Sequence, residues 1–205
     1  MSKGKITVRR GTLDDLEGYV ELNRCRACEA GTLATYDEDS ARASARTHLT
    51  SNICFTAIKD ACVVGMVIWK RVKHDYERQY TDIYDSEHFY APVHERSYAL
   101  ARGLLRASQE FLQPHETLVL NVIDYTAVGR RSDADHLSAI AKLYMRSGFS
   151  LASYSFSRGS VSPDGSGAFD RVGSSWTYTR PAPEHDVPVE LISAVSEQSG
   201  QLRLL

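Results

Sequence analysis

No apolar run in this 205-residue chain approaches the ~20 residues that a helical membrane span needs, so a spanning role is excluded. The opening segment, MSKGKITVRR, lacks the apolar stretch of a secretory signal. A cytoplasmic setting is therefore expected. Charge of one sign is also missing: 24 Lys and Arg against 26 Asp and Glu leave a net charge of −2. No basic field announces nucleic acid. Cysteine is sparse, with Cys25, Cys28, Cys54 and Cys62 the full set. Cys25 and Cys28 fall within one helical pattern, without the further ligands or exposed helix N-terminus that metal or redox chemistry would require. All four are expected to be buried, reduced thiols, since free Cys behaves as a small hydrophobe. The chain has no internal repeat.

What is present is the patterning of one globular domain over residues 1–180, long enough to bury about 70% of its unfolded surface. Residues 5–10 read as a strand. Thr12, followed by Asp14 and Asp15, reads as a helix N-cap. Leu13, Leu16, Val20 and Cys28 continue that helix to about Glu29, and Gly31 ends it. A second helix is expected over 37–50. The β-branched runs 53–59 and 62–72 flank Lys59-Asp60-Ala61 and predict a hairpin; Gly65 within it marks a bulge or a close approach. A third strand spans 80–91, bounded by Pro92. Residues 96–112 are helical, with Leu100, Leu104, Leu105 and Phe111 as the inner stripe. Residues 118–123 (LVLNVI) are apolar on both sides and predict a buried parallel strand. Residues 124–136 form a polar loop, and residues 137–149 (LSAIAKLYMRSGF) a helix closed by Gly148. Strands at 150–157 and 171–180 finish the domain, joined by a Gly/Ser/Pro-rich span over 158–170. Residues 181–205 form a tail with one short amphipathic helix that could pack on the body or on a second subunit as a homodimer contact. The order is α/β with a mixed sheet.

Two local patterns and this order resemble the GNAT family of acyl-CoA-dependent N-acyltransferases, over about residues 5–180. Leu143-Tyr144-Met145-Arg146-Ser147-Gly148-Phe149 is similar to the family's Leu-Tyr-x-x-x-Gly-Phe. Arg96-Ser97-Tyr98-Ala99-Leu100-Ala101 is similar to its Arg/Gln-x-x-Gly-x-Gly/Ala, with Ala99 replacing the first Gly. The resemblance implies a mixed, mostly antiparallel sheet of about seven strands with helices on both faces. It implies acetyl-CoA as co-substrate, its pyrophosphate held by the free amides that open the helix near Arg96. Small side chains there let phosphates come close. The pantetheine arm would lie against Phe89, Tyr90 and Ala91. Family members often carry Asn two turns before the tyrosine; Leu137 stands there, and that contact is assigned to Ser138. Tyr144 is the implied proton donor to the departing thiolate, a sensible task for a phenol near pKa 10.

An amine acceptor must lose a proton before it attacks. The family commonly places the base on the strand that here reads YTDIYDSEHFYA. Glu87 is the first candidate, then Asp85, then His88. Asp85 and Glu87 share one face of a regular strand, and His88 takes the other unless a bulge re-aims it. Arg130 and Arg131 could reach a coenzyme phosphate. The acceptor, a small-molecule or protein amine, stays open at this level. So do two alternatives: an inactive coenzyme-binding module, and a modifier of a protein or nucleic-acid amine. No metal is expected.

Overall fold

The computed structural model describes residues 5–72, 83–127, 141–159 and 169–182. Its elements in chain order are β1 (Thr7–Arg10), α1 (Leu16–Glu29), α2 (Glu38–Ser51), β2 (Ile53–Lys59), β3 (Cys62–Val72), β4 (Ile83–Tyr90), α3 (Tyr98–Phe111), β5 (Thr117–Ala127), β6 (Ser150–Gly159) and β7 (Phe169–Thr179). Residues 141–146 are helical. Arg130, Arg131, Ser138, most of the 158–170 span and the tail beyond 182 lie outside the described residues.

The strands form one seven-stranded sheet in the order β1-β2-β3-β4-β5-β7-β6. Every pairing is antiparallel except β4 with β5, so the strand expected to be parallel is so toward β4 and antiparallel toward β7, with Asn121 exposed. The sheet was legible; its order was not, because β7 inserts between β5 and β6. The β2–β3 hairpin turns through Asp60 and Ala61, both at positive φ (49° and 63°). A two-residue loop with two positive φ values matches the right-handed twist of the strands it joins. Gly65 is both things expected of it. The β2–β3 register shifts beside it, and a Cβ there would sit 3.0 Å from Leu100 of α3.

Each face of the sheet has its own core. On one face α1 and α2 pack Tyr19, Val20, Leu22 and Ala45 over Cys54, Met66 and Ile68. On the other, α3 packs Leu100, Leu104 and Leu105 over Phe55, Val67, Trp69 and Leu118, and Tyr144, Phe149 and Trp176 complete the layer. Burial of each such leucine stabilises the fold by ~1.5–3 kcal/mol. Trp69 Nε1 donates to Ser108 Oγ at 2.8 Å, and Ser108 donates to the Leu104 carbonyl at 2.8 Å. The indole thus brings no unpaired donor into the core.

The helix starts follow side-chain chemistry. Asp15, 5% exposed, accepts from the Thr12 amide at 2.9 Å and from Arg9 at 2.7 and 2.8 Å. Thr56 Oγ1 donates to it at 3.4 Å. The entry to α1 is thereby tied to β1 and β2. Asp37 caps α2 by accepting from the Asp39 amide at 3.1 Å.

Some expectations fail. Cys28 and Cys62 are exposed and Cys25 is half-buried; of the four, Cys54 alone is buried. The inner face of α1 is Tyr19, Val20 and Leu22, while Leu13 is 49% exposed. Leu13 belongs to a 3-10 turn ahead of the helix, which shifts its direction. Phe111 is 39% exposed, sitting at the last residue of α3, where it still meets the edges of Phe55 and Tyr84. β5 runs to Ala127, past the expected start of a loop at 124, because Asp124–Ala127 continue the ladder with β7.

Candidate functional site

The site is built on β4. Across β3, Ser86 pairs with Trp69 and His88 with Ile68, leaving Glu87 without an opposite number. This β-bulge adds one residue to β4 and resets its alternation. Asp85 shares its face with Lys70, and after the bulge His88 and Tyr90 share the face of Ile68 and Met66. His88 therefore lies on the α1/α2 side with Asp85 and Glu87. Phe89 turns to the α3 side and packs with that core.

The parallel ladder between β4 and β5 consists of Ile83–Thr117, Tyr84–Leu118 and Asp85–Val119. Beyond Asp85 the two strands have no further ladder pairs among the described residues. At the apex the Asn121 amide is met by the Ser86 hydroxyl, which accepts at 3.1 Å. The described ladder thus ends just before the β4 bulge, and Phe89, Tyr90 and Ala91 lie past its end.

The chain runs on from β4 through Ala91 and Pro92 to the N-terminus of α3. Ser97 caps the helix by accepting from the Leu100 amide at 3.2 Å. The amides of Tyr98 and Ala99 precede any intrahelical acceptor, and Arg96, Ser97, Tyr98 and Ala99 are all exposed. The side chains of Ala99 and Ala101 keep the approach shallow. Arg96 is itself committed: it donates to Glu29 at 2.6 Å and to the Ala91 carbonyl at 2.9 Å, and stacks over Tyr90 at 5.9 Å. Glu29, at the end of α1, also accepts from the Val93 amide at 2.6 Å. Burial and the Glu29 carboxylate push the Tyr90 phenol up to about 12. Tyr90 Oη makes no hydrogen bond among the described residues.

Behind β4 lies a polar chain. Glu87 accepts from Asn52 at 2.9 Å and stands 3.4 Å from His48 Nδ1. His48, buried on α2, also contacts Ser44 at 3.1 Å and Asn52 at 3.0 Å. Its ring meets the edge of His88 at 5.4 Å. His88 Nδ1 accepts from Arg26 of α1 at 2.8 Å. Burial and the Arg26 charge pull the His88 pKa down to about 4. The ring is neutral at pH 7, with its proton on Nε2. A cavity of about 340 Å³ opens over this chain, lined by Asn23, Arg26, Thr32, Tyr36, Ser44 and His88 among others. A larger groove of about 630 Å³, bounded by Arg106, Gln109 and Arg180, shares no lining residue with β4.

Tyr144 is buried on the other side of β4, its ring 6.5 Å from Phe89, 6.0 Å from Phe149 and 5.6 Å from Trp176. The structure thus brings Asp85, Glu87 and His88 to one face of β4 and Tyr144 to the opposite side. Sequence reasoning missed Arg26, His48, Asn52 and the role of Glu29. The His48 and Asn52 pair at helical spacing i, i+4 was the visible signal. Arg26, between two cysteines on a weakly amphipathic helix, offered none. Among the described residues no cluster of His, Cys, Asp or Glu could hold a metal ion, and no helix is long and apolar enough to cross a membrane.

Neither a family model nor a curated protein matches the sequence. Solved structures do match the fold. A GNAT-family acetyltransferase from Streptococcus pneumoniae superposes with a TM-score of 0.59 at 14% identity, covering 85% of this chain and 99% of that one. The ribosomal-protein-S18-alanine N-acetyltransferase from Escherichia coli gives 0.56 at 16%, covering 90% and 99%. The aminoglycoside 6′-N-acetyltransferase from Enterococcus faecium gives 0.53 at 13%, covering 87% and 99%. The chain has the fold of the GNAT acetyltransferases.

Proposed function

We propose that this protein is an acyl-CoA-dependent N-acyltransferase that moves an acetyl group from acetyl-CoA to an amine by direct attack. The reading rests on the end of the described β4–β5 ladder beside the β4 bulge, which we take as a wedge between the strands, and on the exposed start of α3. Strand edges without ladder partners can hydrogen-bond an extended amide chain such as pantetheine. Free amides and the positive end of the α3 dipole suit its pyrophosphate. Tyr98 and Ala99 would supply those amides, and Leu100 and Ala101, whose amides already donate to Ser97, would shape the cradle beside them. Arg96 would set the loop through Glu29 rather than bind phosphate alone. Ser138 remains assigned to the pantetheine arm by resemblance.

Bound acetyl-CoA supplies an activated thioester. This chain's residues do the rest. A backbone amide in Phe89–Ala91 donates to the carbonyl oxygen as negative charge grows on it. Glu87 takes the proton from the ammonium group, directly or through water. The position of Glu87 at the bulge, held by Asn52 and beside His48, favours it over Asp85, which pairs within the regular ladder. His88 is a weak base with Nδ1 already accepting, so it serves better as a wall of the acceptor cavity. Tyr144 donates its phenolic proton to the departing sulfur.

Release of free thiol from acetyl-CoA with an amine panel tests the reading. Tyr144→Phe should lower kcat by about a hundredfold, within the usual range for loss of a positioned acid, with the acetyl-CoA dissociation constant unchanged. Unchanged turnover would remove Tyr144 from the chemistry. Absence of thiol release together with intact acetyl-CoA binding would favour an inactive coenzyme-binding module.

A further inference from the structure

Arg26 is an arginine without an acidic partner among the described residues. It lies on α1, its guanidinium lines the 340 Å³ cavity, and its recorded hydrogen bond goes to a neutral imidazole, His88 Nδ1, at 2.8 Å. Among the described residues no carboxylate lies within ion-pair range of it. Five other arginines are paired. Arg9, Arg24, Arg42, Arg96 and Arg106 each hold an Asp or Glu. The acid one helical turn along from Arg26, Glu29, is engaged by Arg96 and the Val93 amide. Glu87, the nearest acid on β4, is turned to Asn52 and His48.

A half-buried cation without a counter-ion is costly, and burial lowers the Arg26 pKa from its ordinary value. Guanidinium carries five donors in a planar fork, and the bond to His88 uses one of them. The fork suits a carboxylate, which takes two parallel N–H bonds. The other cavity walls add hydroxyls from Thr32, Tyr36 and Ser44 and the amide of Asn23, with no acid among the lining residues. Such walls suit a ligand that brings its own negative charge.

Resting on the acyltransferase reading, we infer that the acceptor is a small amine that also bears a carboxylate, an amino-acid-like molecule whose acid group is clamped by Arg26. His88, on the same cavity wall, would keep that fork aimed. The amine would then sit toward Glu87 and the wedge. The small cavity, near the lower end of ligand-site volumes, fits a free small molecule better than a folded protein surface.

The test compares matched acceptors: a set of L-amino acids and ω-amino acids, each beside its carboxamide, in the thiol-release assay with acetyl-CoA. At least one acid should exceed its amide tenfold or more in kcat/KM. Arg26→Gln should raise KM for that acid by about tenfold to a hundredfold, the usual worth of a hydrogen bond to a charged group, and by clearly less for its amide. Equal use of acid and amide, or equal loss on both in Arg26→Gln, would overturn the inference and leave only a structural role for Arg26. If no amine is acetylated, thermal stabilisation by the same acids and amides decides it. Stabilisation by an acid, lost in Arg26→Gln but not given by its amide, supports the clamp, and none at all overturns it. Stabilisation by acetyl-CoA in that experiment reports on the coenzyme site separately.

Discussion

At the scale of single residues, His88 offers a direct physical readout of the polar chain behind β4. Its imidazole is flanked by Arg26 from α1, His48 from α2 and Glu87 from its own strand. Burial and the Arg26 charge outweigh Glu87 and hold the pKa near 4. The unfolded chain takes up that proton near pH 6.5. Between pH 6.5 and 4 the unfolded state therefore binds more protons, so stability rises with pH across this window. The contribution is complete above pH 6.5, drains away as the pH falls toward 4, and levels off below. Allowing for partial exposure, His88 accounts for on the order of 1–2 kcal/mol. Urea unfolding at pH 7 and pH 4.5 should show wild type losing about that much more than His88→Gln, whose amide oxygen can still accept from Arg26. Parallel losses in the two proteins would mean that His88 titrates normally. A companion observation concerns the bulge. A period-two reading of YDSEHFY could not reveal that Glu87 is the extra residue, since a bulge is a property of two paired strands. It follows that the acids on this strand were legible in the sequence while the shared side of His88 was legible only as a condition.

At the scale of elements, the site depends on how closely α1 rests on β3, because α1 carries Arg26 and Glu29. The contact is made at Gly18. A Cβ there would lie 2.3 Å from Val63 Cγ2 and 2.5 Å from Val63 Cβ. The second distance decides the outcome. Val63, the second residue of β3, cannot swing its own Cβ aside by changing rotamer, so backbone must move. Alanine gains ~1 kcal/mol in helix propensity over glycine, while overpacking costs ~1–3 kcal/mol. Gly18→Ala should therefore be destabilising by up to about 2 kcal/mol, with a raised KM for the acceptor as α1 lifts, measured by urea denaturation and thiol release. A gain in stability would show that the helix seat is looser than this spacing. The same element shows why some structure escaped the sequence. The hairpin of β2 and β3 announces itself through two β-branched runs and a tight turn. α1 instead mixes charged, cysteine and glycine residues, and its buried face is set by what β3 presents to it. The 3-10 turn at Leu13–Asp15 precedes the helix and leaves Leu13 exposed. Tertiary contacts of this kind leave no periodic trace.

At the scale of the whole molecule, the sheet is two halves joined at one end. The β4–β5 ladder holds three residue pairs, against eleven between β5 and β7. Side chains reinforce the joined end. Tyr84 donates to Glu116 at 3.0 Å, Gln109 to the Ser147 carbonyl at 2.5 Å and Arg180 to the Glu110 carbonyl at 3.0 Å. At the other end, from Ser86 and Leu120 onward, no such ladder joins the halves among the described residues. A molecule seated in the wedge would supply the missing partners and link the halves. Ligand binding also protects by mass action, with about 2.7 kcal/mol of stabilisation at a hundred times the dissociation constant. Amide exchange separates the two effects, because local opening is read residue by residue. With saturating acetyl-CoA, those amides of 86–91 and 120–123 that face the wedge rather than β3 or β7, and those of Tyr98 and Ala99, should slow by about tenfold or more. Those at 83–85 and 117–119, already paired, should change little in their local opening. Equal slowing everywhere would indicate binding without insertion between the strands. Slowing confined to Tyr98 and Ala99 would mean that the helix entrance holds phosphate while the strands stay apart, and the pantetheine path would then have to run outside the sheet.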